Sequence, residues 1–197
     1  MAIDFYLDFV SSFGYLARGR LLEIAGRYGQ EVRYHPVEIA RIRALAGSTG
    51  PSNGQIPLKL AYSKIDQKRW AKRYGIPVTT PAHYDGSRLN RGLYFARARN
   101  QAHDYLKLAF HKVWGEGSSM VDEAMLRSVA TQLGWDADEF LRFTLSSEAD
   151  AQWKAATVDA HNRGVFGVPS MLIGDELWWG NDRLDFLEDY LEKHRAA

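Results

Sequence analysis

The chain has 197 residues, 46% of them hydrophobic and 25% charged, with a formal net charge of +1. That is enough apolar material for one good core, or one core with an inserted subdomain, and the balanced charge provides no basic stripe for nucleic acid. There is no cysteine, which excludes disulfides, thiolate metal sites and dithiol redox chemistry, so a thiol that reacts here must arrive with a bound molecule.

Residues 3–9 alternate apolar positions with extra apolar side chains between them and read as a strand. Asp4 and Asp8 inside that run argue against a signal peptide. No apolar run reaches the ~18 residues that a membrane span needs. The expected location is the cytoplasm. Leu21, Ile24, Ala25 and Tyr28 then follow at helical spacing. Ser11 therefore stands where a strand gives way to a helix, among free backbone N–H groups and at the positive end of the helix dipole. Such a place favours an anion, a thiolate included. A serine there also serves as a simple N-cap, and this stretch alone leaves both readings open.

Residues 31–36 alternate again and stop at Pro36, giving a second strand. A right-handed crossover makes it parallel to the first. Residues 46–54 form a turn-rich loop, and most of the chain from there to Gly164 reads as helix. Leu58, Ala61 and Ile65 open one helix, which stops at Gly75. Leu106, Ala109, Phe110 and Val113 mark another, and Asp122 and Asp136 cap two more. Ser147 with Asp150 resembles a capping-box start.

Strands return with residues 170–173 and 176–179 around a Gly174-Asp175 turn, and Asp182 opens a last helix carrying Leu184, Leu187 and Leu191. Pro169 sits directly before a strand, where it cannot donate to the ladder. A cis Val168-Pro169 bond explains this and turns the Val168 backbone outward for a peptide-like ligand. A trans proline starting an edge strand is the alternative. The order is β-α-β, a helical block, then β-β-α, an α/β sandwich with an all-helical insertion.

Ser11-Ser12-Phe13-Gly14 occupies the slot where redox members of the thioredoxin-like superfamily carry Cys-x-x-Cys. Together with Asp8-Phe9-Val10 before it and Tyr15-Leu16 after it, this stretch resembles the kappa-class glutathione transferase branch. Within that branch it is most similar to isomerases of hydroxychromene acids in bacterial naphthalene breakdown. Gly50-Pro51-Ser52-Asn53, Arg69-Trp70-Ala71, Tyr74-Gly75-Ile76-Pro77, Val113-Trp114-Gly115-Glu116-Gly117 and Phe166-Gly167-Val168-Pro169 spread the likeness over the chain. The run from Gly174 through Trp178-Trp179-Gly180-Asn181-Asp182-Arg183 is its most specific part. Ser12 stands where the family usually has proline.

The resemblance implies a DsbA-like, thioredoxin-like domain from residues 1–45 and 164–197, with 46–163 as an inserted helical domain. It implies glutathione as cofactor and a homodimer. Ser11 would be the catalytic residue, holding the glutathione sulfur as thiolate, and Val168 would pair with the cysteinyl unit. Asp182 would take the γ-glutamyl ammonium and Asn181 its carboxylate, Arg183 would support that corner or face solvent, and Asn53 would also bind the cofactor through a polar contact near the sulfur and the substrate. For Asp182 a plain N-cap role is the competing reading.

The implied activity is cis–trans isomerisation of a small aromatic carboxylate, between a 2-hydroxychromene-2-carboxylate and a trans-o-hydroxybenzylidenepyruvate. A thiolate adds to the enone, the bond rotates, and elimination returns the thiol. Asn53, Arg41, Arg43 and Arg88 are the groups for the substrate carboxylate, and His35, His83 and Tyr84 for its phenol proton. No histidine has metal-ligand spacing, and no metal is expected. A kappa-like transferase that keeps the conjugate, or a non-catalytic glutathione-binding protein, are the alternatives.

Overall fold

The computed structural model describes residues 2–194. Residue 1 and residues 195–197, at the two ends of the expected thioredoxin-like unit, lie outside the described residues. β1 (Ala2–Leu7) and β2 (Glu31–Pro36) pair in parallel, with Tyr6 opposite His35 and Leu7 opposite Pro36. β3 (Ser170–Ile173) runs antiparallel to β1, with Ser170 opposite Tyr6, and β4 (Glu176–Trp179) completes a sheet of order β2-β1-β3-β4. This is the DsbA-like thioredoxin fold, a mixed sheet with a helical insertion.

The two-residue period of β1 sorts its side chains between two layers. Ile3, Phe5 and Leu7 join the larger core with Leu16, Leu21 and Ile24 of α1 (Ser12–Arg27) and Leu184, Leu187 and Leu191 of α9 (Leu184–Lys193). Tyr6 faces the other way, into a smaller cluster with Val37, Leu172 and Ala160. The sheet register sets what stands at its edge. β1 ends where β3 begins, and Trp179 at the end of β4 lies opposite Ser170. The turn after β1, the turn before β3 and the turn after β4 therefore share one edge.

Between β2 and β3 the chain forms α2 (Ile39–Leu45), a 3-10 turn (Asn53–Gln55), α3 (Pro57–Tyr74), α4 (Ser87–Arg97) and α5 (Ala102–Phe110). A π-helical turn (His111–Gly115), α6 (Glu123–Gln132), α7 (Ala137–Thr144) and α8 (Ser147–Asn162) follow. Phe95, Tyr105, Trp135 and Phe140 pack ring against ring at centroid distances of 5.2–6.0 Å. Gly92 of α4 lies against the Tyr105 hydroxyl and the Phe140 ring, a place with no room for a Cβ.

Asp122 and Asp136 cap α6 and α7 as expected, accepting from the N–H groups of Ala124 and Glu139. The cap of α8 is Ser146, which accepts from Ala149 N–H, rather than Ser147. The α3 stripe reverses the expectation. Leu58 is 85% and Ile65 52% exposed, because only the far end of this helix, at Ala71, turns into the core. Asp182 does not cap α9. It lies in a 3-10 turn, Asn181–Arg183, and Arg183 occupies the cap position without a side-chain bond.

Candidate active site

Ser11 is the N-cap of α1. Its Oγ accepts the Gly14 N–H at 3.1 Å, and its own N–H donates to the Asp8 carbonyl at 2.9 Å. The cap uses the hydroxyl as an acceptor only, so the hydroxyl proton remains free to donate. The first turn of α1 contains no acidic residue that would oppose an anion at the positive helix end. Capping and anion binding are thus compatible on the same oxygen.

The Val168-Pro169 bond is cis. Neither the N–H nor the C=O of Val168 has a hydrogen-bond partner among the described residues. Pro169 accepts the Gly180 N–H through its carbonyl at 2.9 Å, which fastens the following corner to this turn. Gly180 has φ 106°, a backbone open to glycine. Asn181 is 3% exposed, yet its Oδ1 and Nδ2 lack a partner. The Tyr74 hydroxyl comes near that amide, which lowers in part a phenol pKa that burial raises. Asp182 is exposed and bound by Arg183 at 2.6 Å.

A cleft of about 420 Å³ opens between the start of α1 and the start of α3. Phe13, Asn53, Leu58, Lys59, Tyr62 and Ser63 line it. The Lys59 side chain makes no hydrogen bond or ion pair among the described residues. Asn53 was legible in the sequence, whereas Phe13, Lys59 and Tyr62 were not. The only signal for Lys59 and Tyr62 was a cation and an aromatic three residues apart at the α3 start, indistinguishable from a solvated helix.

The remaining sequence candidates fall elsewhere. His35 gives its Nε2 to Asp4 at 2.8 Å and stacks on Tyr6 at 4.8 Å, in the layer where Arg163 also bonds Asp4. Burial holds the His35 pKa below its usual value despite the carboxylate. Arg41 is exposed on α2, Arg43 ties its loop to Ser48 and Gly50, and Arg88 bonds Thr144. His83 pairs with Ser119 at 3.0 Å. Tyr84 lies closer to the turn after β1: its ring is 5.8 Å from that of Trp114, whose indole N–H donates to the Phe9 carbonyl at 2.8 Å. A larger groove of about 670 Å³, lined by Tyr94, Arg97, Phe143 and their neighbours, holds none of the sheet-edge residues.

The assembled edge presents a hydroxyl donor at a helix start, an unpaired extended backbone and an unpaired buried amide. It can hold a short peptide-like ligand along its length and stabilise an anion at Ser11. Among the described residues no cluster of His, Asp and Glu is suited to a metal ion, and no helix is long and apolar enough to cross a membrane.

A model of the DSBA-like thioredoxin domain matches residues 2–192. A 2-hydroxychromene-2-carboxylate isomerase of Pseudomonas putida is 45% identical over 188 residues, covering 95% of this chain and 93% of that protein. One from Sphingobium xenophagum is 41% identical, covering 96% of this chain and 97% of that protein. The solved structure of a 2-hydroxychromene-2-carboxylate isomerase superposes with a TM-score of 0.94 at 44% identity, over 98% of this chain and 95% of that one. The chain thus belongs to the DsbA-like thioredoxin family, in the branch of the 2-hydroxychromene-2-carboxylate isomerases.

Proposed function

We propose that this protein is a glutathione-dependent isomerase interconverting 2-hydroxychromene-2-carboxylate and trans-o-hydroxybenzylidenepyruvate in naphthalene-type catabolism. It would act as a cytoplasmic homodimer. The observation that carries the reading is the Ser11 hydroxyl, whose proton is free at a helix start with no acidic residue in its first turn, in a chain without cysteine. The names of the relatives supply the substrate.

Glutathione fits the residues present. Val168 has both backbone groups free for a cysteinyl unit, and the orphaned Asn181 amide matches an amino-acid carboxylate. Asp182 meets the γ-glutamyl ammonium, with Arg183 holding that carboxylate in place. Lys59 and Asn53 stand in the cleft beside Phe13, where a further carboxylate would end. Bound glutathione supplies a thiolate that can add to the substrate's conjugated C=C and leave again, freeing that bond to rotate in between.

Ser11 keeps the sulfur ionised by donating its hydroxyl proton, and the α1 dipole adds to the effect. Phe13, Leu58 and Tyr62 give the aromatic acid an apolar wall. Tyr84, whose hydroxyl burial raises above its ordinary value, remains a neutral donor for the substrate phenol. The test is to follow the chromene acid by absorbance with and without glutathione and to titrate free thiol afterwards. Turnover only with glutathione, and without loss of thiol, is expected. Stoichiometric thiol loss would make the protein a transferase.

A further inference from the structure

Asp8 is 3% exposed, and no cation among the described residues pairs with it. Its Oδ1 accepts the Val10 N–H at 3.2 Å and the Asn90 Nδ2 at 2.7 Å, and its Oδ2 accepts the Ile39 N–H at 3.0 Å. Asn90 is 1% exposed, and its Oδ1 accepts the Phe9 N–H at 3.3 Å. One buried carboxylate thereby joins the turn before Ser11, the first residue of α2, and α4 of the helical insertion. The fit is close. A Cβ at Gly86 would come within 3.1 Å of Asp8 Oδ1 and 3.3 Å of the Phe9 Cβ.

The consequence falls on Ser11. Its N–H is held by the Asp8 carbonyl at 2.9 Å, and Phe9, between them, is fixed at both ends by Asn90 and Trp114. A carboxyl buried with no cation partner costs stability, and burial pushes its pKa up against the pull of its three N–H donors. We infer that Asp8 and Asn90 are positioning residues for Ser11, clamping the turn so that the Ser11 hydroxyl meets the ligand sulfur. The inference rests on the reading of Ser11 as the thiol-binding group. Asp8 and Asn90 are buried away from solvent, and on this inference they act only through the backbone of residues 9–11.

A double-mutant cycle on the full chain, with glutathione and the chromene acid, tests this. Asp8→Asn in the natural background should lower kcat about 10- to 100-fold, the effect of misplacing a reacting group by ~1 Å. In a Ser11→Ala background the same change should alter kcat less than about threefold, because nothing remains to be positioned. The ionisation midpoint of the bound thiol should rise in Asp8→Asn, whereas deleting a nearby negative charge by itself would lower it. Equal fold losses in both backgrounds, or a lowered midpoint, would overturn the inference and leave Asp8 a structural residue. If Asp8→Asn fails to fold, Asn90→Ala, which changes no charge, goes through the same cycle under the same criteria. Should Ser11→Ala alone leave rate and midpoint untouched, the thiol reading falls and takes this inference with it. If Ser11→Ala acts but is not coupled to Asp8, only the inference falls.

Discussion

The Gly180 N–H donates to the Pro169 carbonyl at 2.9 Å, tying the Asn181 corner to the turn that presents Val168. Two stretches that would contact neighbouring units of one short peptide are therefore fastened to each other. That unit stands at the same end of the sheet as the turn after β1, because Tyr6 and Ser170 are register partners.

Ser11→Ala separates capping from chemistry. Loss of the Gly14 cap should cost about 1 kcal/mol of stability. Loss of the hydrogen bond to the thiolate should raise the bound thiol pKa by about one to two units and slow turnover near neutral pH about 10- to 100-fold. Thiolate absorbance titrated in both proteins measures the second effect. An unchanged midpoint would reduce Ser11 to a cap.

Asn181→Leu should move stability and binding in opposite directions. The two amide atoms are buried without a partner, so replacing them with carbon should stabilise the free protein by about 1 kcal/mol. Glutathione affinity should fall about tenfold as the carboxylate loses its donor. Thermal unfolding and calorimetric titration give the two numbers. A protein destabilised by the change, with affinity intact, would show that the amide serves the fold.

Lys59→Met should raise the KM for glutathione about fivefold, a change near 1 kcal/mol for an exposed ion pair. The gap between the two proteins should close as salt is added, since the contact is screened. A salt-independent gap would point to packing of the lysine stem instead.

His35 sets an acid limit on stability. Burial lowers its folded pKa, Asp4 opposes that, and Arg97 and Arg163 add to the lowering. An unfolded histidine titrates near ~6.5, so the unfolded chain binds the extra proton first as pH falls. Stability should be complete above about pH 6.5 and decline below it toward the folded value. Asp4, held below the usual carboxylate range by His35 and Arg163 although burial works the other way, adds a separate loss below about pH 4. Denaturant unfolding across pH should show a flatter upper slope in His35→Gln. The same slope in both proteins would exclude His35 as its source.

What the sequence determined by itself was local. The strand periods at residues 3–9 and 31–36, the Asp122 and Asp136 caps, the Gly174-Asp175 hairpin turn and the Pro169 position each express the conformational preference of a few neighbouring residues. The absence of cysteine was equally plain, as was Ser11 at a helix start. Tertiary structure decided whatever depended on what lies opposite a side chain. An apolar stripe on α3 reads as core until the fold leaves Leu58 and Ile65 in solvent beside a cleft. His35 looked available until β1 brought Asp4 to it. Asp8 read only as a charge inside an apolar run, an argument against a signal peptide, and became a buried junction only when α2 and α4 delivered Ile39 and Asn90, 31 and 82 positions further along the chain. Hydrogen bonds of that range leave no periodicity in the sequence, because their partners are matched by the packing of whole elements and not by spacing along the chain.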